Sequence, residues 1–169
     1  MKNSKIKSLT EISLFVAILS VVSQIYIPIG PVPITLQIFF VCLMGYFLGL
    51  RKGFFAILVY ILLGMVGLPV FSGFKGGFYV IFSYTGGFIL GFIPLTLLCG
   101  IFKTRKIGIL LGIIGVIICH LIGTLQYSLI SEISFIRSVL IVSLPFILKD
   151  ILFSILGYFV ATKIKGLSH

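Results

Sequence analysis

Few side chains in this 169-residue chain could do chemistry, and the most awkwardly placed is Asp150, the only acidic residue inside an apolar run, SLPFILKDILFSILGYFVATKIK. A carboxylate at mid-membrane costs about 2.5–3.5 kcal/mol, less near the surface, so it needs a partner or a cavity. Two readings fit: a carboxylate facing a cavity, or a structural ion pair with Lys149 or Arg137. Lys149 is adjacent in sequence and points about 100° away around a helix, which makes it a poor direct partner. Thr35 and Gln37 enter another apolar run, where the Gln37 amide needs backbone, a second helix or a ligand. His120, near Thr124 and Gln126, has the chemistry of a proton relay or metal ligand. No second histidine or carboxylate lies at ligand spacing, so a buried or helix-facing imidazole is the favoured reading. Cys42, Cys99 and Cys119 lie inside apolar runs without a CxxC and read as buried, reduced, small hydrophobes.

The absent constellations narrow the field. There is no GxxxxGK[ST] run for a P-loop, no HExxH and no pair of intramembrane carboxylates, so ATP hydrolysis by this chain, zinc-dependent proteolysis and proton pumping are not expected. Neither an enzyme nor a resident cofactor or metal is expected. A transporter of this size must equilibrate its substrate or take energy from partners.

The elements that position these residues are membrane helices. Mean hydropathy is +1.33, with 13 basic and only 3 acidic residues, so the chain reads as an all-α, multi-pass integral membrane protein, one membrane-embedded domain over residues 1–169. At roughly 20 residues per span there is room for about six short-looped helices. The net charge of +10 does not suggest nucleic acid, because the cations punctuate apolar runs instead of sharing a polar face. Lys2, Lys5 and Lys7, then Arg51 and Lys52, then Lys103, Arg105 and Lys106, then Lys163 and Lys165 occupy alternate gaps. Only Lys75 and Arg137 occupy the others. By the positive-inside rule both termini are cytoplasmic.

The first span is expected from Thr10 to Tyr26, uncleaved, with Glu11 at the helix N-terminus, where a carboxylate is favoured. Ser13 and Ala17 form a small-xxx-small face, open to intramolecular packing or to another subunit. Pro28, Pro31 and Pro33 stiffen the next turn. A second span runs to Leu50 and holds Gly45 and Gly49, a weak GxxxG. The third runs from Phe54 to Leu68, the fourth from Tyr79 to Phe102 and the fifth from Gly108 to Tyr127. Residues 131–143 read as an outer loop with a short helix. Pro145 stands near the start of the sixth span, which puts Asp150 some 8 Å along it.

Between the third and fourth spans, GMVGLPVFSGFKGGFYVIFSYTGGFILGF gathers glycines around Phe and Tyr rings. Such a stretch suits either tight interhelical packing or the wall of a flat, mostly apolar ligand. GxxGxPVF, the glycine-rich turn and TGGFxxGF, preceded by PVPITLQ, resemble the biotin-binding S-component of energy-coupling factor vitamin transporters over nearly the whole chain. The family usually shows GPTGGY where this chain has SYTGGF. Its D-x-x-K signature is met by Asp150 but has Phe153 at the lysine, and Lys149, one turn before Phe153, is the candidate replacement cation.

The resemblance implies a six-helix S-component bundle in the cell membrane, with biotin as transported ligand. It also implies docking on a transmembrane coupling subunit that carries two cytoplasmic ATPases, for which the Ser13–Ala17 face is the candidate. The candidate substrate-binding residues are Thr35, Gln37, Phe71, Ser72, Tyr79, Thr85, Gly86, Gly87, Tyr127, Lys149 and Asp150. Asp150 would accept from the ureido N–H groups, while Gln37 or the backbone of Gly86 and Gly87 would donate. Another vitamin, or an accessory subunit without a ligand, is the alternative.

Overall fold

The computed structural model describes residues 2–101 and 104–166, with side chains from Lys5 onward. Phe102 and Lys103, expected at the end of the fourth span and in the inner loop, lie outside the described residues. Helix α1, Lys2–Val22, begins well before Thr10, so Glu11 lies within the helix and not at its N-terminus. Its carboxylate is held instead by Lys52 Nζ at 2.7 Å. Ser13 and Ala17 are both exposed, so this face is not used for packing within the chain.

Two short strands follow, β1 (Tyr26–Ile27) and β2 (Ile34–Thr35), paired antiparallel with Tyr26 opposite Thr35. The intervening prolines lack N–H groups and cannot extend the ladder. Helix α2, Gln37–Met65, is interrupted at Gly49, whose φ of 75° and ψ of 176° lie outside the helical region and suit glycine. The chain doubles back there: a Cβ built on Gly53 would lie 3.6 Å from Gly45 Cα, whereas eight residues of straight helix span about 12 Å. The two glycines of the GxxxG thus do different work. Gly49 makes the turn, and Gly45 admits α3 so closely that a Cβ would meet the Thr96 carbonyl oxygen at 2.6 Å.

The fourth helix is shorter than expected. Tyr79 falls in a 3-10 turn, Phe78–Phe82, where Val80 N–H returns to Gly77 O and Ser83 N–H to Val80 O, and α3 proper is Gly86–Gly100. Helix α4, Arg105–Ser131, is capped by Thr104, whose hydroxyl accepts from Ile107 N–H. The expected outer loop is largely helical: α5 (Phe135–Ser138) passes through a π-turn (Val139–Ser143) into α6 (Leu144–Ile164). Pro145 has no N–H for the Ile141 carbonyl, and a widened turn just before it accommodates the missing bond. Because the helical run starts at Phe135, Asp150 lies near its middle, about 22 Å along.

The helices bury a shared core that includes Met44, Tyr46, Ile57, Tyr60, Leu95 and Val116. Residues Gln37–Met65, Arg105–Ser131 and Phe135–Ile164 are long and apolar enough to cross a membrane, and Gly86–Gly100 is a shorter apolar helix. At the Gly49 end, Lys165 Nζ donates to Tyr46 O at 3.2 Å. Partial burial and the nearby Lys52 pull the Lys165 ammonium below the usual lysine range, with Glu11 opposing.

Candidate ligand-binding site

A cavity of about 100 Å³ lies at the other end of the bundle. Its cover is the β1–β2 turn, which contributes Pro31, Val32 and Pro33, together with Phe71, Ser72 and Lys75 of the loop after α2. That loop is strapped down from α1. Gln24 Nε2 lies within 3.3 Å of the Pro69 and Phe71 carbonyls, and its Oε1 accepts from Phe74 N–H at 2.7 Å. Phe71 and Lys75 exchange backbone hydrogen bonds, which turns the loop back over the cavity. The Phe71 ring fills the space beside Gly64 and meets Tyr60 edge to face at 5.6 Å.

Among the candidate residues, Thr35, Gln37, Phe71, Ser72, Thr85, Lys149 and Asp150 line the cavity. The others lie off it. Tyr79 is 67% exposed, and Tyr127 is buried beside the Tyr84 ring at 5.7 Å. Gly86 and Gly87 pack against Gln126, and Gly86 N–H is spent on Ser83 O at 3.0 Å. The walls include residues the sequence reading did not select, among them Phe88, Phe92, Val142, Phe146 and His120. Helical spacing carried a signal for several: Phe88 and Phe92 are four apart, and Val142 and Phe146 lie eight and four residues before Asp150.

Gln37 is placed as an acceptor. Its Nε2 donates to Ser23 Oγ at 3.0 Å and Tyr60 Oη at 3.1 Å. Those hydroxyls have acceptors of their own: Ser23 donates to Leu19 O at 2.6 Å and Tyr60 to Val70 O at 3.0 Å. The amide nitrogen is therefore committed, and Oε1 is what Gln37 can offer a ligand. The expected donor role is replaced because Ser23 and Tyr60, on two other helical segments, converge on the amide.

Asp150 is 4% exposed and has two partners. Its Oδ2 is 3.1 Å from His120 Nε2, and its Oδ1 is 2.7 Å from Lys149 Nζ. The expectation that Lys149 would be a poor partner fails because its flexible stem curls back over the next residue. Lys149 Nζ also donates to Thr35 O at 3.2 Å and sits 5.1 Å above the Phe153 ring. The Lys149 contact is ionic, and Oδ1 has no hydrogen bond of suitable angle. Ser72 Oγ is likewise buried without a hydrogen-bond partner. Asp150 and Ser72 both line the apolar cavity, where a carboxylate and a hydroxyl suit a ligand that donates hydrogen bonds. No group of three or more His, Cys, Asp or Glu among the described residues could hold a metal.

Fold and cavity define a bundle of apolar helices with a lined cavity at one end. The chain belongs to the BioY family, whose model matches residues 1–169. It is 40% identical over 162 residues to a probable biotin transporter BioY of Pyrococcus horikoshii, covering 96% of this chain and 98% of that one. It is 38% identical to biotin transporter BioY2 of Lactococcus lactis, covering 100% and 96%, and 36% identical to biotin transporter BioY of Thermotoga maritima, covering 95% and 97%. A solved crystal structure, the S-component for biotin from an ECF-type ABC transporter, superposes with a TM-score of 0.91 at 28% identity, covering 99% of this chain and 95% of that one.

Proposed function

We propose that this chain is a membrane-embedded biotin-capture subunit of an ECF-type transporter. The observation that carries the reading is the cavity, in which Asp150, Gln37 and Lys149 meet apolar and aromatic walls, in a chain that belongs to the BioY family. Biotin supplies the complement: two ureido N–H donors for Asp150 and Gln37 Oε1, an apolar bicycle for the Phe walls, and a carboxylate for a cationic rim. Six helical legs cross the cell membrane, the two halves of α2 counting separately, with both termini inside and the cavity outside. The basic residues in alternate gaps support this orientation. The exposed Ser13–Ala17 face of α1 docks on a transmembrane coupling subunit, and ATP is hydrolysed by cytoplasmic subunits associated with it.

The test is thermal unfolding of the detergent-solubilised chain. A ligand that binds only the folded state stabilises it by about 4 kcal/mol at a thousandfold excess over Kd, so saturating biotin raises Tm, while riboflavin and thiamine do not. No biotin shift beside a clear shift with another vitamin reassigns the ligand. No shift with any vitamin leaves the accessory-subunit reading.

A further inference from the structure

His120 belongs to no motif of the sequence reading, yet both of its ring nitrogens are engaged. Nδ1 is 2.8 Å from Ser143 Oγ, Nε2 is 3.1 Å from Asp150 Oδ2, and the Phe88 ring stands edge-on at 5.7 Å. These groups come from α4, the π-turn, α6 and α3. With Asp150 as the carboxylate beside Lys149, Nε2 must carry the proton and donate. In the neutral ring Nδ1 is then the acceptor, and the Ser143 hydroxyl supplies the hydrogen. Ser143 is the last residue of the π-turn, so the widened backbone before Pro145 also serves to deliver a hydroxyl to the imidazole. The charged or titratable side chains lining the cavity are His120, Asp150, Lys149 and Lys75.

We infer that His120 is a positioning residue for ligand capture. Its Nε2–H holds Asp150 by Oδ2, Ser143 holds His120 in the tautomer that can donate, and the carboxylate is thereby presented to the ligand in one orientation. The inference rests on the proposed biotin binding. A carboxylate anchored only by the half-exposed Lys149 would be free to turn about its Cβ–Cγ bond, and the acceptor would be presented over a range of directions. Anchored on its far oxygen by a buried ring, it meets a ligand N–H already aligned, which removes an ordering cost from binding.

The test separates position from bulk. Glutamine can place its side-chain nitrogen where His120 Nε2 lies, whereas asparagine reaches only as far as Nδ1. In the purified chain, biotin binding to H120N is expected to weaken roughly 10- to 100-fold, the range for losing a hydrogen bond to a charged group. H120Q is expected to restore it to within about threefold of the wild type. Ser143→Ala should weaken binding several-fold when His120 is present but by less than twofold when added to H120Q, because glutamine has no tautomer to hold. Ligand-free Tm is measured alongside, and the S143A and H120Q cycle decides the matter if H120N does not fold. Wild-type affinity in H120N, or an equal S143A loss in both backgrounds, overturns the inference while leaving the biotin reading intact. Absence of biotin binding by the wild type overturns both.

Discussion

Replacing Asp150 by asparagine conserves the shape of the side chain and removes its charge. His120 Nε2–H still needs an acceptor and takes the amide oxygen, so the new NH2 occupies the Oδ1 position, facing the Lys149 ammonium and the ligand's own donor. A hydrogen bond to a charged group contributes about 1.5–3 kcal/mol, and here the acceptor becomes a donor, so biotin Kd should rise roughly 10- to 150-fold. Folding should suffer less. Removing one member of a buried ion pair typically costs about 3–5 kcal/mol when the other charge stays buried and unpaired. The Lys149 side chain, however, is 27% exposed and keeps the Thr35 carbonyl, so the stability cost should be nearer about 1 kcal/mol, the scale of part-exposed pairs. Isothermal titration of the purified variant reads the first effect, and ligand-free unfolding reads the second. An Asp150→Asn chain that binds biotin within twofold of the wild type while unfolding well below it would show the carboxylate to be a structural group and refute the argument.

Other perturbations test the surroundings of the site. Gln24→Ala removes the three-bond strap on the loop from Pro69 to Phe74, and at about 0.5–1.5 kcal/mol per bond it should lower stability by about 1.5–4.5 kcal/mol in thermal unfolding and speed biotin release. Gly64→Ala puts a methyl group where the Phe71 ring lies; the ring should be driven toward the cavity and biotin Kd should weaken about tenfold, a strain of the kind seen in overpacked sites. Lys75 lines the cavity, is exposed and has no carboxylate within ion-pair distance among the described residues. Lys75→Gln should therefore slow association of anionic biotin several-fold at low salt, with the difference fading at high salt in stopped-flow traces. Glu11→Gln should shift stability by less than about 1 kcal/mol, since the Glu11 and Lys52 side chains are 24% and 39% exposed and such pairs contribute little.

The parts of the site visible in the sequence were those whose chemistry conflicts with their surroundings. Asp150 stood out because it is a carboxylate among Leu, Ile and Phe, and Gln37 because an amide enters an apolar helix. Their partners were hidden. His120 and Asp150 are thirty residues apart on different helices, and no local spacing encodes that meeting. The partners of the Gln37 nitrogen were hidden too, because Ser23 and Tyr60 lie on elements whose relative placement only packing decides. The helices themselves followed from hydropathy, but their ends did not. Tyr79 carries the same apolar pattern as a membrane span, and the local hydrogen bonds of residues 77–83 stop it from joining α3.

Phe153 stands where the resemblance leads one to expect a lysine, and its surroundings show what the ring does instead. A lysine three residues after Asp150 would lie on nearly the same face of α6. Here a ring occupies that position, wedged edge-on against Phe39 at 6.1 Å, and Lys149 extends over it. The cation is one turn away along the helix, yet its ammonium reaches Asp150, Thr35 O and the Phe153 face together. Phe153 therefore provides the surface on which Lys149 rests, since an ammonium over an aromatic face gains about 0.5–2 kcal/mol depending on its desolvation. With Lys149 drawn to Oδ1, something else must hold Oδ2, or the carboxylate would follow the lysine's motion. His120 fills that role, so the Phe153 ring under Lys149 and the buried histidine are two parts of one arrangement for holding Asp150.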